Sequence, residues 1–425
     1  MSDILQAIRG MNDVRPEQSY LWRFLEHTFK TCALSYGYRE IRMPILEQTS
    51  LFKRSIGEVT DIVEKEMYTF TDRNGDSLSL RPEGTAGCVR ACIEHGLLHN
   101  QQQKLWYIGP MFRHEKPQKG RYRQFHQFGV ETFGIEGVGV ELELIALSRR
   151  LWRNLGIEKH VALEVNTLGT IQERQVYREY LIAYFKQHQA DLDEDSIRRL
   201  EKNPMRILDS KNEALKPIIE KAPRLLDVLS QQSRDYFEQL CRGLEALQIE
   251  FTVNPCLVRG LDYYEHTVFE WTTTQLGSQA TVCAGGRFDK LVEHLGGKPT
   301  PAVGFALGEE RLLLLCEQVS HALPEEPAAQ VFIMPDIEHG MMQALSLAED
   351  LRQKAPSWSI QVNTSGGSFK SQFKKADKSG ARVALIIGED EVRNCTVSIK
   401  DLRTSTQQLV PQKEVFEAIC GYMGE

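Results

Sequence analysis

No segment of this 425-residue chain approaches the ~20 uninterrupted apolar residues of a membrane span, so the sequence gives no ground for a spanning helix. Nor does the N-terminal stretch MSDILQAIRGMNDVRP contain an apolar core of signal-peptide length, and the cytoplasm is the expected compartment. The nine cysteines are odd in number and scattered, without the paired short spacings of zinc sites. Cys88 and Cys92, four apart on a predicted helix, read as packing, and no metal site is legible. A Walker-type phosphate loop is also missing: Gly296, Gly297 and Lys298 are followed by Pro299, and the first glycine of the pattern is absent. Gly137 and Gly139 are followed by Leu142, so a dinucleotide fingerprint fails as well. If this protein handles phosphate, side chains must hold it.

The segment YIGPMFRHEKPQKGRYRQFHQFGVETFG supplies candidates. Arg113, Lys116, Lys119, Arg121 and Arg123 fall within eleven residues that include one acid, Glu115, in a chain of net charge -7. That cationic island points to an anionic ligand, the alternative being a solvated basic loop. Aromatic and β-branched runs flank it, Leu105 to Met111 and Phe125 to Phe133, with Pro117 and Gly120 between, which predicts two strands joined by a long loop. Arg259, in RGLDYYEHTVFEW, and Arg311, in AVGFALGEERLLLL, lie at the edges of two further apolar segments. A guanidinium donates paired hydrogen bonds to phosphate oxygens and keeps its charge, although an arginine at a strand end also pairs with structural carboxylates.

A polar group of a different kind surrounds LRPEGTAGCVRA, where Glu83, Gly84 and Thr85 precede a predicted helix; Glu83 either meets a ligand or favours the helix N-terminus. Gln127 and Glu131, four apart on a predicted strand, share a face that is either exposed or ligand-facing. Tyr263 and Tyr264 offer hydroxyls beside a strand or are core aromatics with satisfied tips.

Glycine spacing and chain alternation divide the molecule. Between Gly169 and Gly243 there is no glycine, while Tyr177, Leu181 and Tyr184, and later Leu225, Leu226 and Leu229, recur at helical spacing. Pro204, Pro217 and Pro223 break this stretch into several helices, a helical insertion at about 170–250 after which a sheet resumes near Phe251. A boundary in HALPEEPAAQ separates residues 1–325 from 326–425. In the latter, VFIMP, a helix from about His339 to Lys354, SIQVNT, a helix from about Phe369 to Lys378, VALIIG and VSIKDLR alternate as a small α/β domain. Its Lys370, Lys374, Lys375, Lys378 and Arg382 fit either a nucleic-acid backbone or a solvated helix face.

Taken in order, RGMNDVRP, MPILEQTSLFKRSIGEVTDIVEKEMYTF, LRPEGTAGCVRA, the FRHEKPQKGRYRQFHQFGVE hairpin, LVRGLDYYEHTVFEW, CAGGRFDKL and AVGFALGEERL resemble the bacterial histidyl-tRNA synthetases, a class II aminoacyl-tRNA synthetase family. The likeness runs through nearly the whole chain, and LVRGLDYYEHTVFEW and CAGGRFDKL are its most discriminating strings. It implies an α+β fold: a six-stranded antiparallel catalytic sheet with flanking helices and a helical insertion over 1–325, and an anticodon-binding α/β domain over 326–425. It also implies a homodimer with Pro44 near the interface, ATP, L-histidine and histidine tRNA as substrates, and Mg²⁺ by class analogy.

Carried over residue by residue, the resemblance gives Arg113 the ATP α-phosphate and the substrate carboxylate, Glu115 and Phe125 the adenine, and Arg121 and Arg311 the terminal phosphates. Arg259 matches an arginine that takes a metal's place at the α-phosphate, and with Arg113 is the expected catalytic pair. Glu83, Thr85 and Gln127 resemble binders of the ammonium and carboxylate of histidine, Glu131 and Tyr264 those of its imidazole, with Gly84 and Tyr263 beside them. Lys116, Gln118, Lys119 and Arg123 are expected on the tRNA. One departure stands out: the family's GGRYD is here Gly285, Gly286, Arg287, Phe288 and Asp289, so no hydroxyl role transfers to Phe288, which is expected to pack beside the pocket. A catalytically silent regulatory relative and a synthetase for another amino acid are the rivals. The retained arginines and basic C-terminal domain oppose the first, and the Tyr263-Tyr264 string opposes the second.

Overall fold

The computed structural model describes residues 4–57, 60–210, 212–277, 281–326 and 328–423. The chain forms two compact units, one running to Pro324 and the other from Glu325.

In the first unit the strands are β1 (Arg39–Glu40), β2 (Leu46–Gln48), β3 (Thr69–Thr71), β4 (Ser77–Leu80), β5 (Gln103–Phe112), β6 (Gln124–Phe133), β7 (Ala162–Thr167), β8 (Phe251–Val253), β9 (Glu265–Thr272), β10 (Thr281–Arg287) and β11 (Ala302–Gly308). Among the described residues the main sheet has the order β1-β5-β6-β11-β10-β9-β7-β8. Its interior, β5-β6-β11-β10-β9-β7, is antiparallel throughout. The expected six-stranded sheet is therefore present, extended by parallel edges, β1 on β5 and β8 on β7. Both edge strands are two or three residues long, too short to carry a period-two signal.

Strand alternation sorts the side chains onto two apolar layers. Trp106, Phe128, Val130, Trp271 and Phe305 face one layer with Phe29, Trp152, Phe237 and Leu240 from the helices Pro16–Ser35, Gly139–Asn154 and Gln231–Ala246. Leu105, Tyr107, Met111 and Phe133 face the other, with Cys88, Cys92, Tyr263, Tyr264 and Phe288. Burial on both faces explains why the hairpin strands read as nearly continuous apolar runs.

The glycine-free stretch is helical, and its prolines sit where a helix tolerates them: Pro204 opens the turn Pro204–Ile207 and Pro217 lies in the first turn of Lys216–Glu220. Tyr177, Leu181, Phe185, Leu200, Leu225 and Leu229 form its own small core. Its last helix, Gln231–Ala246, packs instead into the main-sheet layer through Phe237, Leu240 and Leu244.

The second unit has β12 (Val331–Pro335), β13 (Ile360–Val362), β14 (Val383–Ile387), β15 (Thr396–Asp401) and β16 (Gln407–Pro411), in the order β13-β12-β14-β15-β16. The first three are parallel and the last two antiparallel. Helices Met341–Lys354 and Phe369–Lys378 occupy the predicted places. The strand β16 and helix Val415–Met423 were not expected; β16 is largely exposed and lacks an alternating pattern. No described helix is long and apolar enough to cross a membrane.

Candidate active site

Four stretches of chain converge on one cleft of about 350 Å³. The hairpin β5/β6 delivers Arg113, Glu115, Arg121, Phe125 and Gln127; the segment before β9 delivers Arg259, Tyr263 and Tyr264; the helix Glu309–Val319 after β11 delivers Arg311; and the turn before helix Thr85–Glu94 delivers Glu83 and Thr85. Each arrives at a strand end or helix start, where the backbone leaves the sheet and a long side chain can turn over its face.

All four arginines line the cleft. Arg113 donates from Nε to the Pro82 carbonyl at 2.8 Å, and its guanidinium lies 5.2 Å from the Phe125 ring centre. Arg121 is ion-paired with Glu115, and Arg259 with Glu270; Arg259 also lies 5.4 Å from the Tyr264 ring. Arg311 donates to the Thr281 carbonyl at 2.5 Å, and Thr281 Oγ1 donates to Glu270 at 2.8 Å. Burial holds Arg113, Arg121 and Arg311 below the usual guanidinium range, and repulsion adds to it, from Arg259 on Arg113, from Arg113 on Arg121 and from both Arg121 and Arg113 on Arg311. Burial also works against the charge of Arg259, but the Glu270 carboxylate outweighs it and raises the affinity for the proton. An arriving polyanion would relieve the unfavourable terms and compete with Glu115 and Glu270 for their partners.

Deeper in, the polar groups sit among apolar ones. Glu83 accepts the backbone N–H of Thr85 at 2.6 Å and of Ala86 at 3.0 Å, so it caps the helix while lining the cleft. Of the two readings left open by the sequence, the helix-capping one is realised in its geometry, with the same side chain lining the cleft. Glu131 Oε1 accepts from Thr85 Oγ1 at 2.7 Å and from Tyr107 at 3.1 Å. Burial, with the nearby Glu83 charge adding to it and the Thr85 hydrogen bond opposing, pushes the Glu131 carboxyl up to about 8. The Tyr263 and Tyr264 rings pack at a tilt, 4.7 Å between centres, and Phe288 meets them edge-on at 5.6 and 6.3 Å. Phe288 is thus a floor beneath the tyrosine pair, a role that needs a ring and no hydroxyl.

Gly84 stands at the helix start, where the Tyr107 ring fills the space a side chain would take. Lys116, Gln118 and Lys119 lie exposed on the hairpin tip, where Gln118 and Arg121 bridge each other. Arg123 is drawn inward: its backbone N–H donates to the Gly10 carbonyl at 2.7 Å and its Nε to the Glu115 carbonyl at 3.3 Å. Arg287, in the discriminating string CAGGRFDKL, does not line the cleft; it forms a buried pair with Glu141 at 2.8 Å and reaches Asp289 at 3.0 Å. Asp289 in turn accepts the Ala302 N–H at 2.8 Å, tying the end of β10 to the start of β11.

Glu270, Thr281 and Glu310 are site residues that sequence reasoning did not pick. Glu310 accepts the His126 N–H at 2.9 Å and pins the Arg311 helix to β6. A signal existed for Glu270, a lone carboxylate in the apolar run TVFEW.

An antiparallel sheet flanked by helices, with guanidinium groups over a nucleotide-sized cleft, defines a class II aminoacyl-tRNA synthetase catalytic unit. Residues 10–312 match the histidyl-tRNA synthetase family and residues 330–420 the anticodon binding domain. Histidine--tRNA ligase of Legionella pneumophila (strain Philadelphia 1) is 62% identical over 422 residues, 99% of each chain. The apo histidyl-tRNA synthetase of S. aureus superposes with a TM-score of 0.81 at 35% identity, over 98% of this chain and 100% of that one. The histidyl-tRNA synthetase of Nostoc sp. PCC 7120, 20% identical with a TM-score of 0.69 over 99% of this chain and 100% of that one, shares the fold. The chain belongs to the histidyl-tRNA synthetase family.

Proposed function

We infer that this protein is a histidine–tRNA ligase: it activates L-histidine with ATP to histidyl-adenylate and pyrophosphate, then passes histidine to the 3' end of its tRNA and releases AMP. The observation that carries this reading is the convergence of Arg113, Arg121, Arg259 and Arg311 on one cleft lined also by Thr85 and Tyr264, with Glu131 buried behind Thr85 and hydrogen-bonded to it.

The chemistry follows from that placement. The histidine carboxylate attacks the α-phosphorus in line, and Arg113 and Arg259 stabilise the charge that spreads over it. Arg121 leaves Glu115 for the terminal phosphates, joined by Arg311, and the freed Glu115 accepts from adenine while Phe125 stacks on the ring. Glu83, Thr85 and Gln127 take the ammonium and carboxylate ends of histidine, with Gly84 and Tyr263 alongside. Glu131 and Tyr264 take its two ring nitrogens. A pocket built to pair buried polar edges rejects analogues lacking them by roughly 10⁴ to 10⁵, without an editing step.

Mg²⁺ belongs in this reading as a companion of the triphosphate. No group of three or more His, Cys, Asp or Glu side chains able to cage a metal occurs among the described residues. The cleft carboxylates Glu115, Glu270 and Glu310 are already matched to Arg121, Arg259 and His126. The protein's own residues therefore do not fit a resident metal.

For tRNA, the exposed Lys116, Gln118 and Lys119 face the acceptor end, with Arg123 shaping the hairpin that carries them. In the second unit Lys370, Lys374 and Lys378 are exposed and suit the anticodon arm, whereas Lys375 donates to Asn363 and Ser365 and Arg382 pairs with Asp401. A cytoplasmic location suits a tRNA substrate. Homodimerisation is favoured by Ile45, Leu46 and Phe70, exposed on or beside the small sheet β2-β4-β3 next to Pro44. Sedimentation of the active enzyme should give twice the chain mass, and an active monomer would refute the dimer.

ATP–pyrophosphate exchange across a panel of amino acids tests the activity. Exchange with histidine alone is expected; exchange with another amino acid and not histidine overturns the assignment, and histidine binding without exchange points to the regulatory rival.

A further inference from the structure

Tyr107 occupies a slot made by two missing side chains. Directly across the hairpin it faces Gly129, where a Cβ would come within 2.2 Å of its Cζ; on its other side a Cβ at Gly84 would come within 2.2 Å of its Cε2. Neither glycine serves its backbone: Gly84 has φ -102°, open to any residue, and Gly129 lies in an ordinary strand. The space itself is what is kept. The ring is 2% exposed, and its hydroxyl ends on Glu131 Oε1 at 3.1 Å.

The same oxygen accepts Thr85 Oγ1 at 2.7 Å, so Oε1 is fully engaged. The other oxygen, Oε2, lies over Gly304 of β11, where a Cβ would come within 1.8 Å of it. Two donors on one oxygen and a bare backbone beneath the other hold the carboxyl in one orientation, with Oε2 alone left to meet a ligand. We propose that Tyr107 is a positioning residue for histidine selection: between Gly84 and Gly129 it loads Glu131 Oε1, so that Oε2 is presented to the imidazole.

This rests on the reading that Glu131 faces the imidazole. The groups around Glu131 are Glu83, Thr85, Cys88 and Cys92 from the capped helix and its lead-in, Tyr107 from β5, Tyr263 and Tyr264 from the segment before β9, and Tyr38 beyond the first helix. Among these, the Tyr107 hydrogen bond favours the ionised carboxylate. Its loss moves the Glu131 titration to higher pH.

Y107F keeps the ring and removes only the hydroxyl. At pH 9, where the Glu131 carboxyl is ionised, the Michaelis constant for histidine in pyrophosphate exchange should rise roughly ten- to a hundredfold, as for a lost hydrogen bond to a charged group. The ATP constant and the melting temperature should stay put, and the limb of the kcat/KM profile for histidine that belongs to Glu131 should shift to higher pH. G129A, which forces the ring from its slot, should reproduce the histidine defect. A Y107F enzyme whose histidine constant stays within about twofold of the parent, with an unmoved pH limb, overturns the proposal. E131Q separates the two levels: a defect in E131Q with none in Y107F removes Tyr107 alone, whereas a parental histidine constant in E131Q removes the reading of Glu131 as well.

Discussion

Arg259 illustrates what a single residue contributes here. Its guanidinium is aimed by Glu270 on one side and rests near the Tyr264 ring on the other, so its position is set before substrate arrives. Preorganised charge at a developing oxyanion is worth far more than the same charge in water. Replacing Arg259 by alanine should therefore lower kcat for pyrophosphate exchange by roughly 10² to 10³ with a smaller effect on the histidine constant. Steady-state exchange kinetics check it. Glu309 illustrates the opposite case. Both its carboxylate oxygens are buried without a partner, and burial, with Glu26 and Glu310 nearby, pushes its carboxyl well up. Because the folded protein holds this proton more tightly than the unfolded chain, Glu309 lowers stability as pH rises above about 4.3. Glu309→Leu should raise the melting temperature, by more at pH 7 than at pH 4.5; an equal gain at both would show that packing, not ionisation, is responsible.

At the level of elements, the start of helix Ile171–Gln187 joins several pieces of chain through one side chain. Thr170 Oγ1 accepts the Glu173 N–H at 3.2 Å and Glu173 accepts the Thr170 N–H at 2.7 Å, a capping box. Glu173 also accepts from the Ser230 N–H at 2.8 Å and Ser233 Oγ at 2.9 Å, holding the start of Gln231–Ala246. Burial opposes its ionised form, but these hydrogen bonds win and hold the carboxyl down at about 2. The depressed value contributes stability above the unfolded value of about 4.3 that fades as pH falls towards 2. Thr170→Ala should cost about 1 kcal/mol in urea unfolding at neutral pH. The destabilisation caused by Glu173→Gln should shrink as pH drops from 5 to about 2.5.

For the whole molecule, the two units carry different work in the proposed reading. Chemistry lies in the unit ending at Pro324, and the match to an anticodon binding domain falls at residues 330–420. Deleting residues 326–425 should raise the Michaelis constant for tRNA more than that for ATP. Equal effects on both would count against the division, and aminoacylation assays at varied tRNA and varied ATP measure it.

The nearly continuous apolar runs of β5 and β6, the proline-punctuated helical stretch and the strand–helix alternation after Val331 were written in local residue order, because each depends on neighbours within a few positions. So were the strings that mark the family and name Arg113, Arg259 and Arg311. Pairing across the chain was not. That Arg121 would rest on Glu115 and Arg259 on Glu270, that Arg287 would be buried against Glu141 rather than in the pocket, and that Tyr107 would lie between Gly84 and Gly129 all follow from strand register and helix docking. The parallel pairing of the short edge strands and the exposed β16 were also invisible locally, since hydrogen bonds to other strands, not side-chain pattern, place them in their sheets. Residue chemistry and periodicity are local properties of a chain; which charge meets which, and which oxygen is left free, is decided only when distant segments are brought within a few ångströms.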